Sequence, residues 1–248
     1  MNQKHFEVLE SFLQIPLESA DGVFEKFMEI PGYIYRGTGQ ERFLYIRGSR
    51  PNKVCLVAHG DTVWDSAHGN DALSNGHVVF ENGKFFSTSD ENGLGADDRA
   101  GCAILWILRE LGHSLLITDG EESQRQGSTW LMHHNKDIAE EINGEHQFLV
   151  QFDRRHGRDF KCYDVGTDEF RSYVEKVTGY SEPDKHSFTD IVTLCERIAG
   201  VNLSIGYYNE HHENETLVYS QWENTLNLAT SWLSESGLPL FPLNKDER

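Results

Sequence analysis

Two adjacent carboxylates, Asp97 and Asp98, lie in the glycine-containing stretch Gly93–Gly101, directly before the apolar run Cys102–Leu108. The run is typical of a buried helix, so both acids belong to the loop and the helix start. Glycine leaves that loop free to bend around a cation, and carboxylate oxygens bind divalent metals. We therefore expect Asp97 to bridge two metal ions. The simpler alternative is that the pair caps the helix or offsets its dipole.

Further candidate ligands follow apolar stretches that are typical of strands. They are His59 and Asp61 after Val54–Ala58, Glu121 and Glu122 after Ser114–Thr118, Asp153 after Phe148–Phe152, and His211 after Val201–Gly206. Each pattern alone is weak evidence, because adjacent glutamates usually form a solvated surface and His-x-Asp usually lies in a loop. Their recurrence at strand ends favours a common site.

A two-metal site needs one shared carboxylate and about two further ligands for each ion. His59 and Asp153 would bind one ion, and Glu122 and His211 the other, with Asp97 between them. These ligands favour zinc, with cobalt or manganese as alternatives. The expected cofactor is therefore a pair of divalent ions.

Two residues next to the ligands have chemistry of their own. Asp61 lies two residues after His59, where its carboxylate can accept the second N–H of the imidazole and orient the ring. Glu121 precedes a ligand but would point elsewhere, which suits a general base. The two ions would lower the pKa of a water and polarise a carbonyl, while Glu121 carries the proton to the leaving amine.

Composition limits the other possibilities. The 248 residues contain 22 Lys and Arg against 40 Asp and Glu, a formal charge of −18, which repels nucleic acid. No apolar stretch is long enough to cross a membrane, and the first residues lack a signal-peptide core. The four cysteines are far apart in apolar segments, as buried thiols are, so we expect a cytoplasmic protein.

The order of the elements predicts an α/β fold. Apolar strands, polar turns and helices alternate along the chain, which is typical of a mostly parallel central sheet with helices on both faces, a three-layer sandwich. Asn82-Gly83 predicts a hairpin, and residues 213–233 are expected to form a terminal helix. In such sheets, sites form beyond the carboxyl ends of the strands. No linker divides residues 1–248, so we expect a single domain.

Five motifs in order resemble the di-zinc exopeptidase clan, which includes peptidase T, carboxypeptidase G and the co-catalytic zinc aminopeptidases. They are residues 59–63 (HGDTV), 95–101 (GADDRAG), 119–122 (DGEE), 152–153 (FD) and 207–215 (YYNEHHENE). The resemblance implies the same ligand roles, and the histidine four residues before a glutamate selects His211 over His212. It also implies a cis peptide bond between Asp97 and Asp98. The lid domain of peptidase T and carboxypeptidase G has no counterpart here, because only 57 residues separate Asp153 from His211.

Substrate contacts are less well defined. Without a lid, Arg154 and Arg155 are candidates to bind a substrate carboxylate, although they could instead offset the local acidity. Asp190 lies where relatives place residues near the substrate pocket. The remaining histidines that draw attention are expected to be structural or at the surface; they are His68, His77, His133, His134 and His186.

The leading hypothesis is a metal-dependent aminopeptidase that acts on short peptides. A deacylase or carboxypeptidase acting on N-acyl amino acids is the alternative within hydrolases. A non-catalytic binding protein that retains the fold is the alternative from another class, and such a protein would be expected to lack a ligand or the general base. The sequence does not predict the oligomeric state.

Overall fold

A seven-stranded mixed sheet forms the centre of the computed structural model, which describes residues 2–65, 77–183 and 188–243. The strands are β1 (Ile34–Thr38), β2 (Glu41–Ile46), β3 (Cys55–His59), β6 (Ser114–Thr118), β7 (Leu149–Arg154), β8 (Phe160–Lys161) and β9 (Gly200–Ser204). Their spatial order is β1-β2-β6-β3-β7-β9-β8.

The four middle strands, β6, β3, β7 and β9, run parallel. Leu56 of β3 pairs with Leu115 on one side and Val150 on the other, and Val150 pairs in turn with Val201. These strands are continuous apolar runs because both of their faces are covered. Parallel pairing brings the carboxyl ends of all four strands to one edge of the sheet, where the predicted site residues follow.

Helices cover both faces of the sheet. They are α1 (Gln3–Leu13), α2 (Asp21–Met28), α3 (Ala96–Leu108), α4 (Gln126–His134), α5 (Lys136–Glu145), α6 (Asp168–Thr178), α7 (Asp190–Leu194) and α8 (Tyr219–Leu233). Alternate side chains of β3 enter two separate cores. Leu56 packs into the core with α1, α2, α3, α6 and α8, whereas Val57 packs into the core with α4, α5 and α7. The predicted three-layer α/β fold is confirmed.

A second, four-stranded antiparallel sheet lies beside the site. It comprises β4 (Val78–Glu81), β5 (Lys84–Ser87), β10 (Tyr207–Tyr208) and β11 (Thr216–Val218) in the order β10-β11-β5-β4. The hairpin at Asn82-Gly83 is confirmed as β4–β5. The terminal helix begins at Tyr219 rather than at residue 213, because Thr216–Val218 pairs with β5 and β10. Sheet pairing therefore overrides the helical pattern there.

All four cysteines are buried free thiols. Within the described ranges, no helix has both the length and the apolar character needed to cross a membrane.

Candidate metal centre

The five predicted ligands converge on one cavity edge at the carboxyl ends of the parallel strands. His59 ends β3, Glu122 follows β6, Asp153 lies near the end of β7, and His211 lies in the connection between β10 and β11. A cavity of about 190 Å³ is lined by four of them, Asp97, Glu122, Asp153 and His211, and by Glu121. His59 lies below it, 1% exposed.

The carboxylate of Asp97 lies between two imidazoles. Its Oδ1 is 3.1 Å from Nε2 of His59, and its Oδ2 is 3.2 Å from Nε2 of His211. His59 Nε2 also lies 3.5 Å from Asp153 Oδ1, and His211 Nε2 lies 2.9 Å from Glu122 Oε1. The side chains thus form two groups that share Asp97, the arrangement that the sequence predicts.

The backbone around Asp97 turns its carboxylate towards the cavity. Asp97 and Asp98 both have non-helical φ/ψ, and the peptide bond between them is cis, as predicted. Asp98 is fully buried, and its two oxygens accept hydrogen bonds from the backbone N–H groups of His59, at 3.2 Å, and Gly101, at 3.1 Å. A side chain at Gly101 would overlap this carboxylate and the carbonyl of Phe152. Asp98 therefore holds its neighbours in place.

Asn202 fixes the backbone of Asp153. Its Oδ1 accepts from the N–H of Asp153 at 2.9 Å, and its Nδ2 donates to the carbonyl of Asp153 at 2.7 Å. The register between β7 and β9 shifts between Gln151 and Arg154, so the asparagine replaces ladder hydrogen bonds that the shift removes. Such irregularities redirect side chains next to functional sites.

Three further residues hold the carboxylate of Asp153. Gln151 and Thr189 donate to its Oδ2 at 2.9 and 2.7 Å, and Tyr207 donates to Oδ1 at 3.3 Å. Sequence reasoning missed these residues and Asn202. A signal was present, because Gln151 and Asn202 are polar residues inside apolar strands, and a buried amide needs hydrogen-bond partners. Thr189 and Tyr207 had no such signal.

Asp61 links the ends of two strands. Its carboxylate oxygens accept from the backbone N–H groups of Glu121, at 3.2 Å, and Glu122, at 3.1 Å. The same carboxylate lies 3.3 Å from Nδ1 of His59, and the carbonyl of Asp61 lies 3.1 Å from that nitrogen. The predicted orientation of the imidazole by Asp61 is consistent with this geometry, which also positions the two glutamates.

Glu215 clamps the loop that carries Asp97. It is 1% exposed, and its Oε2 and Oε1 accept from the backbone N–H groups of Gly95, at 2.6 Å, and Asp97, at 3.1 Å. Since Glu215 follows His211 by four residues, one segment supplies both a predicted ligand and the support of another. The sequence analysis noted this spacing only as part of a motif.

The cluster has the electrostatics of a cation site. Burial, together with the charge of Asp97, raises the pKa of Glu122 to about 7 and that of Asp153 to about 6. Hydrogen bonds to Asp97 and Glu122 raise the pKa of His211 to about 11. Burial opposes ionisation of Asp97, but hydrogen bonds from His211 and His59 lower its pKa. A bound cation would stabilise the ionised form of carboxylates that lie this close together.

Glu121 faces the same cavity. Burial raises the pKa of its carboxyl well above the usual range, and the charges of Asp153, Asp190 and Glu122 add to the shift, while His59 opposes it. A carboxyl whose pKa is raised in this way, beside the cavity, has the properties of a general acid or base.

The three predicted substrate contacts, Arg154, Arg155 and Asp190, differ in their position relative to the cavity. Arg154 lines the cavity but is 6% exposed, and its Nε donates to Asp159 at 3.0 Å. Arg155 is more exposed and forms an ion pair with Glu210. Asp190 requires a correction, because it lies outside the cavity, fully buried, with its oxygens accepting from Thr118 and from Ser128 at 2.5 Å. A carboxylate so enclosed has no surface to offer a substrate, and it anchors the start of α7 instead.

Of the other histidines, His77, His133 and His134 are exposed, as expected. His68 and His186 lie outside the described residues.

The donor set fits divalent metal ions. In two groups of three side chains, the potential ligand atoms lie within 4.8 Å of one another; the groups are His59, Asp98 and Asp153, and His59, Asp97 and Glu122. Asp98 is the weaker donor because its oxygens already accept backbone N–H groups. Glu122 Oε1 is buried and lies 2.9 Å from Nε2 of His211, close enough for one cation to contact both atoms. Imidazole nitrogen and carboxylate oxygen together suit zinc.

Solved peptidase structures share this fold. Aminopeptidase PepT from Bacillus cereus matches with a TM-score of 0.63 at 13% identity over 95% of this chain and 99% of that one. A tripeptidase from Staphylococcus aureus matches with a TM-score of 0.63 at 13% identity over 94% and 99%. An aminopeptidase from the archaeon Desulfurococcus kamchatkensis matches with a TM-score of 0.65 at 13% identity over 93% and 94%. The resemblance seen in the sequence is thus confirmed in the fold.

No protein-family model and no curated protein matches the sequence.

Proposed function

We propose that the protein is a two-metal aminopeptidase that hydrolyses the first peptide bond of short peptides. The observation that carries the proposal is the carboxylate of Asp97, which lies between His59 and His211 at one cavity that Glu121 also lines. The aminopeptidases and the tripeptidase of the same fold support a peptide substrate. Because the candidate ligands are spread from residue 59 to residue 211, we infer a single catalytic domain. The four free thiols support a cytoplasmic location.

His59, Asp97 and Asp153 would hold one ion, and Asp97, Glu122 and His211 the other. Bound divalent ions supply Lewis-acid polarisation of the scissile carbonyl and lower the pKa of the attacking water. Glu121 takes a proton from that water as its oxygen bonds to the carbonyl carbon. When the C–N bond breaks, Glu121 returns the proton to the leaving nitrogen, so that a free amino acid and a shortened peptide are formed.

The cavity favours the end of a chain over its middle. Its volume of about 190 Å³ is below the roughly 300–1,000 Å³ of common ligand pockets, which favours one terminal residue over a longer segment. Asp97, Glu121, Glu122, Asp153 and Glu210 line it, and their negative charge suits a protonated α-amine. Both arginines at the cavity are paired with carboxylates, which favours an aminopeptidase over a carboxypeptidase.

The test begins with protein stripped of metal by a chelator. Zinc, cobalt or manganese is added, the bound ions are counted by mass spectrometry, and hydrolysis of leucinamide, a dipeptide and its N-acetyl derivative is followed. We expect two ions per chain and cleavage of the free-amine substrates alone. Loss of the acetyl group from the N-acetyl derivative would identify a deacylase, and cleavage of its peptide bond would identify a carboxypeptidase. Metal binding without any hydrolysis would identify a binding protein.

A further inference from the structure

An exposed aromatic side chain stands at the rim of the catalytic cavity. Large hydrophobic side chains are exposed at three places in the described chain, Tyr33, Phe188 and Leu240. Phe188 is the most exposed of them, at 74%, and it alone of the three lines this cavity. Pockets that bind organic ligands are lined mainly by apolar and aromatic side chains, so this ring is a candidate for contact with a ligand.

The backbone after Phe188 is anchored to the site. Thr189 donates to Oδ2 of Asp153 at 2.7 Å, Asp190 is buried against Thr118 and Ser128, and the N–H of Ile191 donates to Gln151 Oε1 at 3.1 Å. Phe188 therefore directly precedes a residue whose hydroxyl donates to a predicted metal ligand. Hydrogen bonds to β6, β7 and α4 fix the backbone that follows the ring.

A cation lies over the ring of Phe188. The guanidinium of Arg125 lies 5.7 Å from the ring centroid of Phe188, within the range of a cation–π contact. Arg125 is itself held by a hydrogen bond to Thr193 Oγ1 at 3.0 Å. Thr193 belongs to α7, the short helix that begins two residues after Phe188. Arg125 is therefore held by the helix that follows the ring.

We propose that Phe188 determines specificity, selecting peptides whose N-terminal residue is large and apolar. The inference rests on the proposed aminopeptidase function. The acids of the cavity would take the α-amine, and the side chain of the terminal residue would then meet the ring at the rim. Burial of apolar surface between the two then contributes to binding of large side chains and contributes little for alanine.

Kinetics of Phe188→Ala test the proposal. With the metal-loaded enzyme, we expect kcat/KM for leucyl and phenylalanyl p-nitroanilides to fall about 10-fold, mainly through KM, and that for the alanyl substrate to change less than about twofold. Phe188→Leu should restore much of the loss. The matched control is Leu240→Ala, which removes an exposed apolar side chain outside the cavity and should leave all three values unchanged.

Two results would overturn the assignment: an equal fall for all three substrates, or unchanged kinetics. Unchanged kinetics with a smaller species in size-exclusion chromatography would identify the ring as a contact between copies of the chain. If the wild-type protein hydrolyses nothing, the proposed function fails, and calorimetric binding of phenylalaninamide and alaninamide decides the role of Phe188. A preference for phenylalaninamide that Phe188→Ala abolishes supports the proposal, whereas an unchanged ratio contradicts it.

Discussion

The conformation of Asp97 bears on two roles for its carboxylate, helix capping and metal bridging. Its place before an apolar helix is compatible with capping or with compensation of the dipole. In the structure, the residue has φ −84° and ψ 99°, so it stands outside the regular helix, and its oxygens lie beside His59 and His211. Contacts on both oxygens favour a bridging role over capping.

Replacing Glu121 with Gln tests the proton transfer. The amide has nearly the same shape but accepts no proton, so we expect kcat to fall by about 10²–10⁴-fold while the bound metal is unchanged. The measurements are kcat on a dipeptide and metal content by mass spectrometry. Glu213→Gln, at an exposed acid of the His211 segment, is the control and should retain full activity. Wild-type activity in Glu121→Gln would exclude the residue as the base.

The connection between β10 and β11 joins two halves of the site. It carries His211 with a left-handed φ of 65°, and Glu215 four residues later binds the backbone of the Asp97 loop. The candidate ligand His211 and the residue that holds the backbone of Asp97 therefore lie on one short segment. The β10–β11 connection, which lies outside the parallel sheet, therefore contributes to both predicted metal positions.

Glu215→Gln should loosen this connection. The amide places an N–H₂ group against one of two buried backbone donors, and an unsatisfied buried group costs about 1–3 kcal/mol. Since Asp97 is the residue held, we expect the affinity for metal to fall about 10–100-fold, as for other residues that support ligands. Metal titration by calorimetry measures the change, with Glu213→Gln as the exposed control. Unaltered affinity would mean that Asp97 is held by other contacts.

A buried histidine makes the packing of α5 against β6 sensitive to acid. His146 is 2% exposed, its Nδ1 lies 3.0 Å from the carbonyl of Ile142, and its Nε2 lies 2.7 Å from Ser114 Oγ. Burial lowers the pKa of His146 to about 4 from 6.5. As the pH falls, the unfolded chain binds this proton first, so stability is lost between about pH 6.5 and pH 4.

We therefore expect His146→Gln to reduce the acid sensitivity of folding. From pH 7 to pH 5 the wild type should lose about 2 kcal/mol more of its free energy of unfolding than the variant does. Urea unfolding at the two pH values, with a chelator present, measures the difference. His134→Gln, at an exposed histidine, should behave as the wild type does. Parallel losses in His146→Gln and the wild type would refute the assignment.

At the scale of the whole molecule, the site connects segments that are distant in the chain. Its candidate ligands come from the ends of β3 and β7, the loop after β6, the start of α3 and the β10–β11 connection. The fold brings three carboxylates and two histidines together, and the carboxylates repel one another in the absence of a bound cation. Binding of ions that the unfolded chain holds less tightly should therefore stabilise the fold.

Thermal unfolding measures that coupling. At a free zinc concentration a thousandfold above Kd, each ion contributes about 4 kcal/mol, which corresponds to a rise in Tm of roughly 8–16 °C for a chain of this size. Calorimetry of the chelator-treated protein with and without zinc gives the shift. Asp97→Asn removes the shared ligand and should abolish most of it. An equal shift in the variant would place the stabilising ions elsewhere.

Much of the fold followed from local pattern. Continuous apolar runs such as Val54–Ala58 are typical of strands that are buried on both faces. Their alternation with helices indicates a parallel sheet. The start of the terminal helix was misplaced because Thr216–Val218 pairs with β5, a partner more than a hundred residues away in the chain. Local helix and strand propensities do not indicate which distant segment a strand pairs with.

The sequence by itself determined the α/β class, the edge of the sheet at which the site forms, and the residue types that gather there, because strand ends and ligand chemistry are local properties. Only the tertiary structure decided which side chains support the candidate ligands and which line the cavity. Asp190 passed from expected substrate contact to buried anchor, Glu215 and Asn202 hold the backbone of Asp97 and Asp153, and Phe188 lines the cavity. Those roles depend on distances between elements far apart in the chain, which packing of the two cores sets.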